Sequence, residues 1–382
     1  MKKILLFLFI IFCTINISTL NVKADTLDNP NIISARAKVV GVKEENNSTG
    51  ISENKGDIRQ IITVQVTNGK YKGKVLTIEN TIRSDLAYNL DIHEKDTILV
   101  LIMEDKNGNY LGVNIEDMAR DTYLLYLVLI FALLMIIIGK LKGVKSLITL
   151  VITGFTIWKV FIPMIIKGYS PIGASILTCV LISITTLVIT SGLNNKTLSA
   201  LFGTLSGVII AGVISLIIGK YANITGFANE DAQLLINAPI KIDLKGLLFA
   251  GIIMGSLGAV MDIGISISSA IFELKEVNKK MSKKDLITSG MNIGKDIMGT
   301  MSNTLILAYV GSSIQMILLF VAYNMSASEV INKELIASEI LRALSGSIGL
   351  VCAIPITVGI SSLLAERKNN ITQELPDSLE VN

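Results

Sequence analysis

Residues 251–311 read GIIMGSLGAVMDIGISISSAIFELKEVNKKMSKKDLITSGMNIGKDIMGTMSNTLILAYVG, and the fold follows from how they are read. Two apolar stretches flank a loop carrying Lys275, Lys279, Lys280, Lys283 and Lys284. Each stretch is long and apolar enough to cross a bilayer as a helix. Yet the first contains Asp262, and the second opens with Asp296 and Asn303. An ionisable group inside a span is costly and marks a functional site by default. Gly251, Gly255, Gly258, Asp262, Ser266, Ser269 and Glu273 recur every three or four residues and so share one helical face. Asn292, Asp296, Gly299 and Asn303 form a second such face. The spacing predicts two antiparallel helices with matched polar faces, and a site of Asp262, Ser266, Ser269, Asp296 and Asn303 where those faces meet. Two plainer readings stay open: Asp262 hydrogen-bonded to a neighbouring helix, and Asp296 as an interfacial carboxylate beside Lys295.

The surrounding chain reads as the rest of a membrane bundle. The protein has 382 residues, of which 17% are charged, and a mean hydropathy of +0.61. Such values belong to integral membrane proteins. Hydrophobic blocks predict seven spans, at about 122–139, 144–166, 171–191, 197–219, 246–271, 299–323 and 340–364. Alternate loops collect lysine: Lys140, Lys142 and Lys145, then Lys196, then the five between 275 and 284, then Arg367 and Lys368. The positive-inside rule therefore predicts an amino-terminal domain outside and a cytoplasmic carboxyl terminus. The tail, 366–382, is polar and is expected to be disordered.

Ahead of the spans, residues 1–24 have the pattern of a signal peptide, with an uncleaved anchor helix as the alternative. Residues 25–120 form the soluble, extracytoplasmic part. Strand-like runs at 35–42, 60–67, 74–79, 97–103 and 110–115 are separated by turn signals such as Asn68-Gly69 and Asn107-Gly108. The fold class is thus a polytopic α-helical bundle of about seven spans preceded by a small all-β domain, a short-stranded barrel or sandwich. The single histidine, His93, sits among Asp91, Glu94 and Asp96. With no second histidine or a cysteine beside it, an acidic turn is the reading and no metal site is expected.

Small residues recur at every fourth position from Ser199 through Gly203 and Gly207 to Gly219, a pattern that lets a neighbouring helix approach closely. Gly251, Gly255 and Gly258 suggest the same for their helix. Lys159, before Pro163, and the pair Glu339 and Arg342, one turn apart, are secondary candidates that snorkelling also explains. No hydrolase, metalloprotease or phosphate-loop motif is present, so no enzyme activity and no cofactor are expected. The basic loop needs only anionic lipid as its partner, not nucleic acid.

GAVMDIGISISSAIFEL (258–274), SGMNIGKDIMGTMSNTLILAYVG (289–311) and Glu339, Arg342, Gly346 and Pro355 resemble the YibE/F family of multi-spanning bacterial membrane proteins. The resemblance implies a bacterial plasma-membrane location. Two functional classes compete, with an intramembrane enzyme third behind them. One is a transporter or channel for a small ion or small molecule. The other is a sensor or assembly subunit whose outer domain binds a ligand and whose spans engage a membrane-protein partner. Polar faces within two adjoining spans favour the first.

Overall fold

The computed structural model describes residues 31–46, 58–84, 89–227, 230–236 and 240–373. The expected signal segment, nearly all of the polar run 46–55 and residues 374–382 lie outside the described residues. The chain divides into two compact units: one contains the sheet and ends at Leu134, and the other contains the helices from Met135 on.

In the first unit, β1 (Asn31–Asn46), β2 (Ile58–Val66), β3 (Val75–Ile82), β4 (Thr97–Glu104) and β5 (Tyr110–Met118) form one antiparallel sheet. Their order is β3-β2-β1-β4-β5. β1 pairs twice, through Asn31–Lys38 with β4 and through Ala37–Asn46 with β2, and it bulges between Val39 and Gly41. A bulge bends its strand and increases the local twist. The sheet curls until β3 and β5 approach, which makes it barrel-like rather than a two-sheet sandwich. Alternation selects the core: Ile62, Val64 and Val66 from β2 and Ile98, Val100 and Ile102 from β4 are all buried.

Among the described residues, two polar side chains, Gln60 and Glu104, are buried in that core, and both are satisfied. Gln60 donates from Nε2 to Asp91 Oδ1 at 3.1 Å and accepts at Oε1 from Asn80 Nδ2 at 3.0 Å. Glu104, 3% exposed, accepts from Lys70 Nζ at 2.7 Å. This contact holds the Glu104 carboxyl below the usual range, with help from the Tyr71 hydroxyl, and pushes Lys70 up. His93 lies in a turn where its N–H donates to Asp96 Oδ2 at 2.9 Å.

In the helical part, α1 (Asp121–Thr156) leads through a π turn (Ile157–Phe161) into α2 (Ile162–Ile166). The turn is widened just ahead of Pro163, whose ring clashes with the carbonyl four residues back in a regular helix. There follow α3 (Pro171–Ser191), α4 (Asn195–Tyr221), the short α5 (Glu230–Ile236) and α6 (Leu244–Val277). α7 (Lys283–Ser312), α8 (Ile314–Ala322), α9 (Ala327–Asn332) and α10 (Glu334–Gln373) complete it.

Among the described residues, five helices are long and apolar enough to cross a membrane, and α7 with α8 makes a sixth. The first of these, Asp121–Ile166, has 46 residues. At 1.5 Å per residue that is about 69 Å, more than twice the ~30 Å of a hydrocarbon core. It is broken at Lys140, where φ is 48° and ψ is −127°. Divided there, it supplies the two stretches expected at 122–139 and 144–166; undivided, the total is six against the seven expected.

Two boundaries differ from the sequence reading. α7 begins at Lys283 instead of 299, because Ser282 and Asp285 close a capping box and Leu286, Gly290 and Gly294 give its first half a buried face. It bends by 58° into α8 after Gly311 and Ser312, small residues that often mark kinks, so 299–323 is not one straight span. α10 continues to Gln373, so the first part of the tail expected to be disordered is helical.

The bundle centres on α4, α6 and α10. α3 lies against α4 and α6, and α7 lies against α10 and α6. Ser199, Gly203, Gly207, Ala211, Ser215 and Gly219 are all buried. A Cβ on Gly207 would stand 2.7 Å from Gly349 O and 2.6 Å from Val260 Cγ1, so the α4 and α10 backbones touch there.

Candidate functional site

Asp262 lies on α6 facing a cavity of about 460 Å³. The second half of α1 contributes Lys142, Lys145, Ser146 and Thr149. The end of α3 contributes Thr186, Thr190 and Ser191, and the first turn of α4 contributes Lys196. α6 itself adds Met261, Ile265 and Ser269 beside Asp262. Lys142, Lys145 or Ser146, and Thr149 recur at helical spacing and so share a face of α1, as do Thr186 and Thr190 on α3. α1 makes few contacts with its neighbours here, and the cavity fills the gap.

Among the described residues, Asp262 has no hydrogen bond or ion pair, and neither do the ammonium groups of Lys142, Lys145 and Lys196. Thr149 and Thr190 donate their hydroxyls to their own helices, to Ser146 O and Thr186 O. The hydroxyls of Ser146, Thr186, Ser191 and Ser269 have no protein partner among the described residues. The cavity is therefore walled by groups that retain unused hydrogen-bonding capacity.

A second cavity, of about 320 Å³, lies at the other end of α3 and α6, between Ile165–Pro171 and Lys241–Asp243. Between the two, Phe161, Ile165, Ala174 and Ala250 form an apolar cluster, with Ile157, Leu247 and Met254 packed against it. Along α6, from Asp243 to Met261, the cavities are separated by 18 residues, about 27 Å and close to the thickness of a hydrocarbon core.

Of the other predicted site residues, the structure brings Ser269 to the Asp262 cavity but not Ser266, Asp296 or Asn303. Of the α6 face, Ser269 lines the cavity, whereas Ser266 is exposed elsewhere. Asn292, Asp296, Gly299 and Asn303 are exposed on α7. They lie about 200° around that helix from Gly290 and Gly294, at 100° per residue, and it is those glycines that pack against Ile271, Ile354 and Val358. The polar row of α7 therefore points away from the helices that hold it. A Cβ on Gly255 would stand 2.8 Å from the Tyr309 hydroxyl, while Gly251 and Gly258 have nothing within 4 Å of a Cβ position and bring no described helix close.

Lys159 is exposed within the π turn. Glu339 and Arg342 form an ion pair at 3.2 Å, and the Arg342 guanidinium lies 5.9 Å from the centre of the Tyr309 ring. Glu339 Oε2 and Arg342 Nε are buried without a partner among the described residues, as are the hydroxyls of Ser338 and Ser345. This cluster contributes nothing to the Asp262 cavity.

Sequence reasoning missed Lys142, Lys145 and Lys196 as site residues. The positive-inside pattern accounted for them completely, so nothing marked them further. The signal that was available is the polar face Lys142, Lys145/Ser146 and Thr149 at the start of a span.

An all-β domain joined to several apolar spans defines a multi-pass integral membrane protein. A model described as "YibE/F-like protein" matches residues 127–367, and one described as "YibE/F family N-terminal domain" matches residues 33–118. The chain belongs to the YibE/F family. No curated protein and no solved structure matches it.

Proposed function

We propose that the helical part moves a small ion or small solute across a bacterial plasma membrane, along the seam between the second half of α1, α3 and α6. The observation that carries this reading is the pair of cavities at opposite ends of that seam, separated by the apolar cluster of Phe161, Ile165, Ala174 and Ala250. An apolar constriction between two wetted ends closes a path to ions at rest and opens by a modest separation of helices. Asp262 guards the lysine-bearing cavity, which on the positive-inside rule faces the cytoplasm.

The test is flux in reconstituted vesicles. Asp262→Asn is expected to abolish solute or ion movement while the protein still inserts and accumulates. Undiminished flux through that variant contradicts the reading.

A further inference from the structure

The Asp262 cavity has an excess of hydrogen-bond donors and positive charge, and this bears on what enters it. Lys142, Lys145 and Lys196 bring three ammonium groups from two helices, against the one carboxylate of Asp262. No described partner neutralises any of these four charges. Four hydroxyls, on Ser146, Thr186, Ser191 and Ser269, are also free to donate. Lys142 and Lys145 are exposed and Lys196 is half-buried, so water and salt ease their mutual repulsion, and an oxyanion seated among them relieves it further. Thr149 and Thr190 have already given their hydroxyl protons to their own helices, so the donors left for an occupant are the three ammonium groups and these four hydroxyls.

We infer that the occupant of this cavity is a phosphate-type oxyanion, presented either by a soluble small molecule or by a lipid headgroup. This deepens the transport reading and relies on it for the purpose of the cavity, but binding is measured separately from flux. An ammonium donates to a phosphate oxygen as a point charge, and neighbouring hydroxyls complete the shell. Asp262, the only acid on the wall among the described residues, repels the anion toward the lysines. Asp262→Asn therefore tightens binding in the same variant that abolishes flux.

The experiment uses the purified full-length chain in phosphatidylcholine nanodiscs, titrated with inorganic phosphate by calorimetry. The comparison is Lys142→Gln/Lys145→Gln/Lys196→Gln, with Lys159→Gln as control. Loss of even one charge-assisted contact is expected to weaken binding by roughly tenfold or more, and added salt is expected to weaken wild-type binding. A parallel arm measures how much phosphatidylglycerol, relative to phosphatidylcholine, remains bound through purification. Phosphate binding that depends on the three lysines supports a soluble oxyanion. Retained phosphatidylglycerol that is lost in the triple variant supports a lipid headgroup. If neither ligand distinguishes wild type from the triple variant, the inference is overturned, while a flux defect in Asp262→Asn would leave the transport reading standing with a cation as cargo.

Should the triple variant fail to fold, Ser146→Ala/Thr186→Val/Ser191→Ala changes no charge and carries the test. Weaker binding by this variant supports the inference, and wild-type binding contradicts it.

Discussion

Glu104 and Asp262 are carboxylates carried on otherwise apolar elements, and they are handled in opposite ways. Glu104 is 3% exposed and meets Lys70 Nζ at 2.7 Å, so its charge is compensated inside the β domain. Asp262 is exposed to a cavity and meets no described partner. A compensated carboxylate contributes to stability, whereas an uncompensated one is retained at a cost and points to a role outside stability. Because the folded Glu104 carboxyl titrates below its usual range, its contribution is complete above that range and is lost as pH falls through the lowered value. Lys70, raised, contributes until pH rises through its own elevated value. Glu104→Gln is therefore expected to lower the Tm of the β domain at neutral pH and to flatten its acid-side fall; calorimetric unfolding across the acid range reads both, and an unchanged acid limb contradicts the assignment. At the same scale, Asp262 itself was legible from sequence, since one acid in a hydrophobic run stands out. Its surroundings were not legible, because Lys142, Lys145 and Lys196 already had a sufficient explanation in membrane topology.

At the scale of elements, the α4–α10 crossing and the α6 face separate glycines that pack from glycines that do not. Both rows repeat small residues about once per helical turn, every fourth residue on α4 and every third or fourth on α6. Gly207 nonetheless sits within 2.7 Å of Gly349 O, measured from its would-be Cβ, and Gly251 meets nothing within 4 Å. Gly207→Ala is expected to cost about 1–3 kcal/mol through overpacking, while Gly251→Ala is expected to stay within about 0.5 kcal/mol. Thermal unfolding of the solubilised protein compares them, and equal effects would contradict the packing described. Periodicity says which residues share a face but not what that face meets. That is why the polar row from Asn292 to Asn303 was legible as a row, and its direction, away from α6 and α10, was not. The 58° bend between α7 and α8 had a local signal in Gly311-Ser312-Ser313, masked by the apolar residues on either side.

For the whole molecule, the division into a β domain and a helical bundle was legible because the two parts obey different hydrophobic periods. Alternation in β2 and β4 separates them from the continuous apolar blocks after Asp121. The choice between barrel and sandwich was not legible, since it turns on the bulge at Val39–Gly41 in a strand long enough to pair twice. If conduction resides in the seam, a chain lacking residues 30–115 keeps flux in vesicles once it inserts. A protein that acts chiefly as a receptor loses all response in the same deletion.

On the proposed transport reading, the two cavities open on opposite sides of the membrane and the apolar cluster between them is the closure. Single cysteines at Thr186, Ala250 and Lys241, in a chain whose own Cys13, Cys179 and Cys352 are replaced, test it with a membrane-impermeant thiol reagent added from one side at a time. Thr186→Cys is expected to react from one face only, Lys241→Cys from the opposite face only, and Ala250→Cys from neither at rest. Reaction of Thr186→Cys and Lys241→Cys from the same face would contradict it.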